Sequence, residues 1–139
     1  MADITVTPSN VVASAGARTE NGIAGATVTA GQIVFLDSTT TGKWLLADAD
    51  AATAAARGQG KVGVALNGAA LNQPLAVQTE GPITIGATVV AGTAYYLSPN
   101  PGGIAPLADI LTGDYVTLVG IATSASVIKL DFQYSGVSL

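Results

Sequence analysis

One phrase occurs twice in the chain, and no other feature constrains its architecture as tightly. Gly25-Ala26-Thr27-Val28-Thr29-Ala30-Gly31 runs on into Gln32-Ile33-Val34-Phe35-Leu36-Asp37. Gly86-Ala87-Thr88-Val89-Val90-Ala91-Gly92 runs on into Thr93-Ala94-Tyr95-Tyr96-Leu97-Ser98. Each copy reads as a short extended segment, an Ala-Gly turn and an apolar strand. Gly31 and Gly92 stand where the turn needs positive φ, which a residue without Cβ adopts freely. Self-similarity at a fixed offset is the mark of a repeated structural unit.

The echo continues downstream. Gly42 to Asp48 lines up with Gly103 to Asp109 at the same offset. After one deletion Val62-Gly63-Val64-Ala65 matches Val119-Gly120-Ile121-Ala122, and after a second Leu75 to Gly81 matches Leu130 to Gly136. Both deletions fall in loop-like segments, where changes of length are tolerated. The sequence therefore predicts an N-terminal arm over 1–24, a first β repeat over 25–81 and a second over 82–139.

Within this frame strands are expected over 32–36, 43–47, 61–66, 75–79, 93–97, 115–122 and 127–134, with Gly81-Pro82 separating the copies. In the last strand Ile128, Leu130, Phe132 and Tyr134 alternate with Val127, Lys129, Asp131 and Gln133, the period of a half-buried strand. One short helix is expected in the first repeat, capped by Asp50, running through an alanine-rich stretch and ending at Arg57-Gly58. Residues 14–22 lack periodicity and read as loop, while Ile4-Thr5-Val6-Thr7 alternates like a strand that Pro8 ends or confines to an edge. Short strands and frequent glycine turns predict an all-β fold: an internally duplicated small β-barrel or β-sandwich with that one helix.

Charged residues make up 10% of the 139 residues and apolar ones 49%, against about 25% charged in ordinary globular chains. Such a surface is either coated by Thr, Ser, Gln and Asn or covered in part by other subunits. The net charge is −4, and the five cations Arg18, Lys43, Arg57, Lys61 and Lys129 are scattered, so nucleic acid is not an expected partner. Without Cys there is neither disulfide nor thiolate chemistry, and without His the usual general base and metal ligand are missing. No apolar run approaches the roughly 18 residues that span a bilayer. The first residues carry neither a basic nor a long apolar leader region, so the chain is expected to be made in the cytoplasm and kept or assembled there.

Gly58-Gln59-Gly60-Lys61-Val62-Gly63 has the G-x-G-x-x-G spacing, but a dinucleotide loop follows a strand and opens a helix, the reverse of the order expected here. Asp48 and Asp50, with Asp37 near in sequence, offer oxygen ligands for Ca²⁺; capping and a solvated turn explain the same residues, and no metal site is assigned. No nucleophile and base can be paired, so no catalytic residue is assigned and an enzyme is not expected. Trp44 reads as a core or interface anchor, and Tyr95-Tyr96 as a pair with at least one member in the core.

The stretches GATVTAGQIVFLD, GKWLLADAD, KVGVAL and GATVVAGTAYYLS, over residues 25–136, resemble the small capsid decoration (cement) proteins of tailed bacteriophages. The resemblance implies a β-rich structural virion protein without cofactor, made in the host cytoplasm and located on the capsid exterior. There it would bind the major capsid protein, often as a homotrimer, and stabilise the shell by bridging its subunits. The arm is the least well aligned segment. Its apolar residues Ile4, Val6, Val11 and Val12 are the candidate capsid or subunit contacts. Two alternatives stand beside this reading. One is another virion part, a head fibre or tail-tip module. The other is a carbohydrate- or receptor-binding β-module that stacks ligands on Trp44, Tyr95 and Tyr96.

Overall fold

The computed structural model describes residues 3–139; Met1 and Ala2, at the start of the expected arm, lie outside the described residues. Ten strands follow one another: β1 (Val11–Ala13), β2 (Arg18–Ile23), β3 (Ile33–Leu36), β4 (Trp44–Leu46), β5 (Val62–Ala65), β6 (Pro74–Ile85), β7 (Ala94–Leu97), β8 (Ile104–Pro106), β9 (Tyr115–Ala122) and β10 (Val127–Ser138). They pair in the order β4-β3-β5-β6-β10-β9-β7-β8, with β1 and β2 also on β6. The result is a curled antiparallel half-barrel. Gly31 and Gly92 take φ of 92° and 83°, as the Ala-Gly turns require.

Strand β6 joins the two sides. Its first part pairs with β2 and β5, its second with β1 and β10. The sequence places a break at Gly81-Pro82, yet the strand runs through it. Gly81 bends the chain at φ 89°, and a Cβ there would meet Gly16 O at 2.6 Å. The carbonyls of the bend find a donor inside the protein: fully buried Gln78 donates through Nε2 to Glu80 O, Gly81 O and Pro82 O at 3.1, 3.2 and 2.9 Å. A satisfied bend lets the strand continue where water would otherwise have to enter.

The continuous apolar run of β3 is buried on both faces, as such runs are in covered sheets. Ile33 and Phe35, with Val62 and Val64 of β5, face the larger core, which includes Ile83, Leu97, Ile104 and Ile128. Val34, Trp44, Leu75 and Val77 face a smaller core closed by Val28 and Ala69.

The expected helix after Asp50 is not formed. Arg57 N donates to Thr53 O and Ala54 O, and Gly58 N to Ala55 O, which amounts to one turn. A segment so short does not offset the cost of helix nucleation, and exposed Asp50 supplies no cap. Instead Asp50 N donates to Asp48 Oδ1 at 3.2 Å. Among the described residues the fold is all-β apart from 3-10 turns at Pro8–Asn10 and Leu107–Asp109. The unperiodic stretch expected to be loop holds strand β2. Here tertiary pairing overrides local pattern: Glu20 pairs with Val77 and Gly22 with Leu75, and a Cβ on Gly22 would meet Trp44 Nε1 at 2.5 Å. Conversely Ile4 to Thr7 joins no ladder and is held by single bonds, Ile4 N to Ile104 O at 2.9 Å and Thr7 N to Gly86 O at 2.8 Å.

Candidate functional site

The arm is fastened at its start. Ser98 Oγ donates to Asp3 Oδ1 at 2.6 Å and Asn100 Nδ2 to Asp3 Oδ2 at 3.2 Å, tying it to the β7–β8 turn. Ile4 and Val6 are half-buried and pack on the larger core, and Val11 is buried within it. Val12, on the other face of β1, is 56% exposed. The structure thus uses three of the four apolar arm residues inside the chain and leaves Val12 open. In register Val12 lies opposite Thr84, which lies opposite Val127 of β10, so Val12 continues the outer face of the C-terminal sheet.

That outer face is the surface the sequence did not single out. Ala94 pairs with Ile121 and Tyr96 with Leu118 across β7 and β9, and Lys129 of β10 lies opposite Ile121. Ile121 is 48% exposed and the other three apolar residues are half-buried. A groove of about 670 Å³ runs along it, lined by Gly16, Glu80, Gly81, Leu118, Ile121, Thr123, Lys129, Leu130 and Asp131. The signal was present in Tyr-Val-Thr-Leu-Val-Gly-Ile-Ala of β9, which is apolar on both faces although the fold covers only one.

The aromatic platform does not form. Trp44 and Tyr95 are 2% and 4% exposed, and the Tyr95 hydroxyl accepts a bond from Val90 N. Tyr96 alone of the three is half-buried. The glycine-rich stretch also has packing roles. A Cβ on Gly58 would meet Thr117 Cγ2 at 2.8 Å, and one on Gly63 would meet Gln78 O at 2.5 Å. The guanidinium of Arg57 lies 3.8 Å from the centre of the Tyr115 ring and donates to Ala51 O, holding the turn onto β9.

Among the described residues no group of three or more potential ligands is arranged to hold a metal ion. Asp37 accepts bonds from Thr39 and Thr41 within its own turn. Asp48 is the acid of the cluster whose pKa is raised. Burial, then the hydrogen bond and charge of Asp50, then the charge of Asp114, raise its pKa from 3.8 to about 6. The folded state thus holds this proton more tightly than the unfolded chain, so Asp48 lowers stability as pH rises from about 4 to about 6. Asp48→Asn keeps an acceptor for Asp50 N and removes the charge. The variant is expected to melt higher than the parent at pH 7 and to match it at pH 4. An unchanged difference between the two pH values would show that Asp48 is not perturbed.

No helix of the described residues is long and apolar enough to cross a membrane. No family model matches the chain, and no curated protein is significantly similar to it.

Proposed function

We propose that this chain is a structural virion protein that binds the outside of an assembled phage capsid, as a homo-oligomer of the trimeric kind, and bridges subunits of the major capsid protein. One observation carries the reading. The fold leaves Val12, Val90, Leu111, Ile121 and Val137 between 48% and 64% exposed on a chain with 10% charged residues. Apolar side chains so numerous, with so few charges among them, suit a surface that other subunits cover. The alternative of a sugar-stacking module is disfavoured by the enclosure of Trp44 and Tyr95.

The same reading takes the chain as an internal duplication. In its support, β4-β3-β5-β6 and β8-β7-β9-β10 have the same order. Gly31 N bonds Ala65 O as Gly92 N bonds Ala122 O, and Ala65 N bonds Gln32 O as Ala122 N bonds Thr93 O. The registers adjust two of the sequence matches. Leu36 pairs with Trp44 and Leu97 with Ile104, so Trp44 corresponds to Ile104 rather than Ala105. Gly63 abuts Val77 where Gly120 abuts Ile128, so Val77 corresponds to Ile128 rather than Phe132. On this reading β2, which pairs with the first part of β6 as the second part of β6 pairs with β10, would belong to the first unit ahead of Gly25. Val28 and Val89 make similar bonds, to Ala69 O and Ala125 O, yet face different cores, because the N-terminal sheet packs its outer face onto the C-terminal one.

The decisive measurement is co-sedimentation with undecorated capsids. Removing the arm would remove β1 and β2, two ladder partners of β6, so the informative variant is Val12→Asp. Its melting is expected to stay within about 0.5 kcal/mol of the parent. The parent should bind and stabilise the shell by about 3–4 kcal/mol per site at 100 to 1,000 times Kd, read as a higher melting temperature. Val12→Asp should bind about tenfold more weakly. Equal binding would place the contact elsewhere than the arm, and a parent that binds no capsid would refute the capsid reading.

A further inference from the structure

We infer that the groove on the outer face of the C-terminal sheet, at Leu118 and Ile121, receives the Asn67–Gln73 loop of a second copy of this chain, with Leu71 as the inserted side chain. The inference rests on the homo-oligomer reading above and says where that oligomer closes.

The first support is an asymmetry between the two sheets. By ladder partner, Ile33, Phe35, Val62 and Val64 of the N-terminal sheet answer to Ala94, Tyr96, Leu118 and Ile121 of the C-terminal one, where a register shift between Tyr95 and Tyr96 puts Leu118 rather than Val119 in the place of Val62. The first four are 0%, 7%, 6% and 0% exposed because the C-terminal sheet covers them. The second four have no such cover, and Ile121 is 48% exposed. Within the molecule this strand face is an interface, so its counterpart has the shape and chemistry of one.

The second support is the loop. It spans Leu66 to Gln73 between β5 and β6, whereas Thr123 to Ser126 suffices between β9 and β10. Its added length does not fray. Asn67 bonds Pro74 O and Ala76 N, Asn72 N bonds Ala24 O, and Ala70 N bonds Gln73 Oε1. Asn72 holds φ 70°, a left-handed conformation uncommon outside glycine. A loop fixed in this way presents Leu71, 57% exposed, at little further entropic cost.

Charge supplies the third support. Lys43 is bound to Asn72 of this loop. The groove carries two carboxylates, Glu80 and Asp131, against one cation, Lys129. The loop itself is uncharged, so its apolar tip, with the Lys43 ammonium beside it, meets an apolar-floored groove edged by these carboxylates. The two surfaces lie on different parts of the chain, so the contact is head-to-tail and closes into a ring when the rotation permits.

The test uses the full chain and sedimentation velocity. The parent is expected to associate at about 100 µM or below. Leu71→Asp and Ile121→Asp are each expected to weaken association at least about tenfold while melting like the parent, since both side chains are exposed. Ile121→Thr, which keeps a β-branched residue in the strand, should weaken it in the same direction. An equimolar mixture of Leu71→Asp and Ile121→Asp should give a heterodimer, because one intact loop then meets one intact groove. A monomeric parent, an undiminished single variant, or a mixture that stays monomeric would each overturn the inference. Capsid co-sedimentation of the same samples keeps the two proposals apart: a monomer that still binds shells overturns this one and leaves the capsid reading standing.

Discussion

Gly120→Ala is expected to destabilise the protein by about 3 kcal/mol or more, a large part of the roughly 5–15 kcal/mol by which domains of this kind are stable. A Cβ at this position collides with the carbonyl oxygen of Lys129, reaches its carbonyl carbon at 2.9 Å and Ile128 Cγ2 at 3.0 Å. The obstacle is backbone of the neighbouring strand, which cannot step aside without breaking the β9–β10 ladder at Leu130 and Gly120. Gly63→Ala meets the same geometry in the N-terminal sheet, against Gln78 O at 2.5 Å. The control is Gly92→Ala, where φ is 83° but the space is open. There only the left-handed conformation is penalised, by about 1–2 kcal/mol. Urea unfolding of the three variants checks the order. If Gly120→Ala lay within 0.5 kcal/mol of the parent, an uncertainty of about the size expected for a neutral surface change, the close approach of these strands would be wrong.

What the sequence revealed and what it hid divide along a physical line. Strands carried by their own apolar pattern, such as Ile33–Leu36, Ala94–Leu97 and Tyr115–Ala122, lie where the pattern puts them, because burial of alternating or continuous apolar side chains specifies them locally. Strand β2 was hidden because Thr19-Glu20-Asn21-Gly22 has no pattern of its own; its ladder partner lies more than fifty residues away on β6. The alanine-rich stretch misled in the opposite sense. Its propensity favours a helix, but packing of Gly58 against Thr117 and of Arg57 against Tyr115 holds it to a single turn. The arm was legible as an apolar segment, but not that Val11 would be buried in the chain's own core with Ile4 and Val6 packed half-buried against it. The outer groove stayed hidden because a sequence shows which faces are apolar and not which of them the rest of the chain will cover.

Gln78→Glu is expected to be the most damaging isosteric change in the molecule. Gln78 is 0% exposed, and its Nε2 is the donor for three carbonyls at the bend that joins the two sheets. A carboxylate would set negative charge against those three oxygens, away from bulk solvent. Leaving a buried charge without a partner costs about 3–5 kcal/mol, and the bend would open to hydrate it. Gln78→Met separates charge from lost bonding: it keeps the volume, removes the donors and should cost about 1–3 kcal/mol. The charged variant carries its own signature in pH. Burial and the facing carbonyls would raise the pKa of Glu at this position above its unfolded value. The penalty then grows as pH rises through the window between the two values and shrinks as acid protonates the carboxyl, which restores one donor. Melting of Gln78→Glu should therefore recover towards that of Gln78→Met on going from pH 7 to pH 4.5. Equal melting of Gln78→Glu and Gln78→Met at pH 7 would mean that the bend is hydrated, and that the two sheets are not joined through a dry, side-chain-satisfied strand.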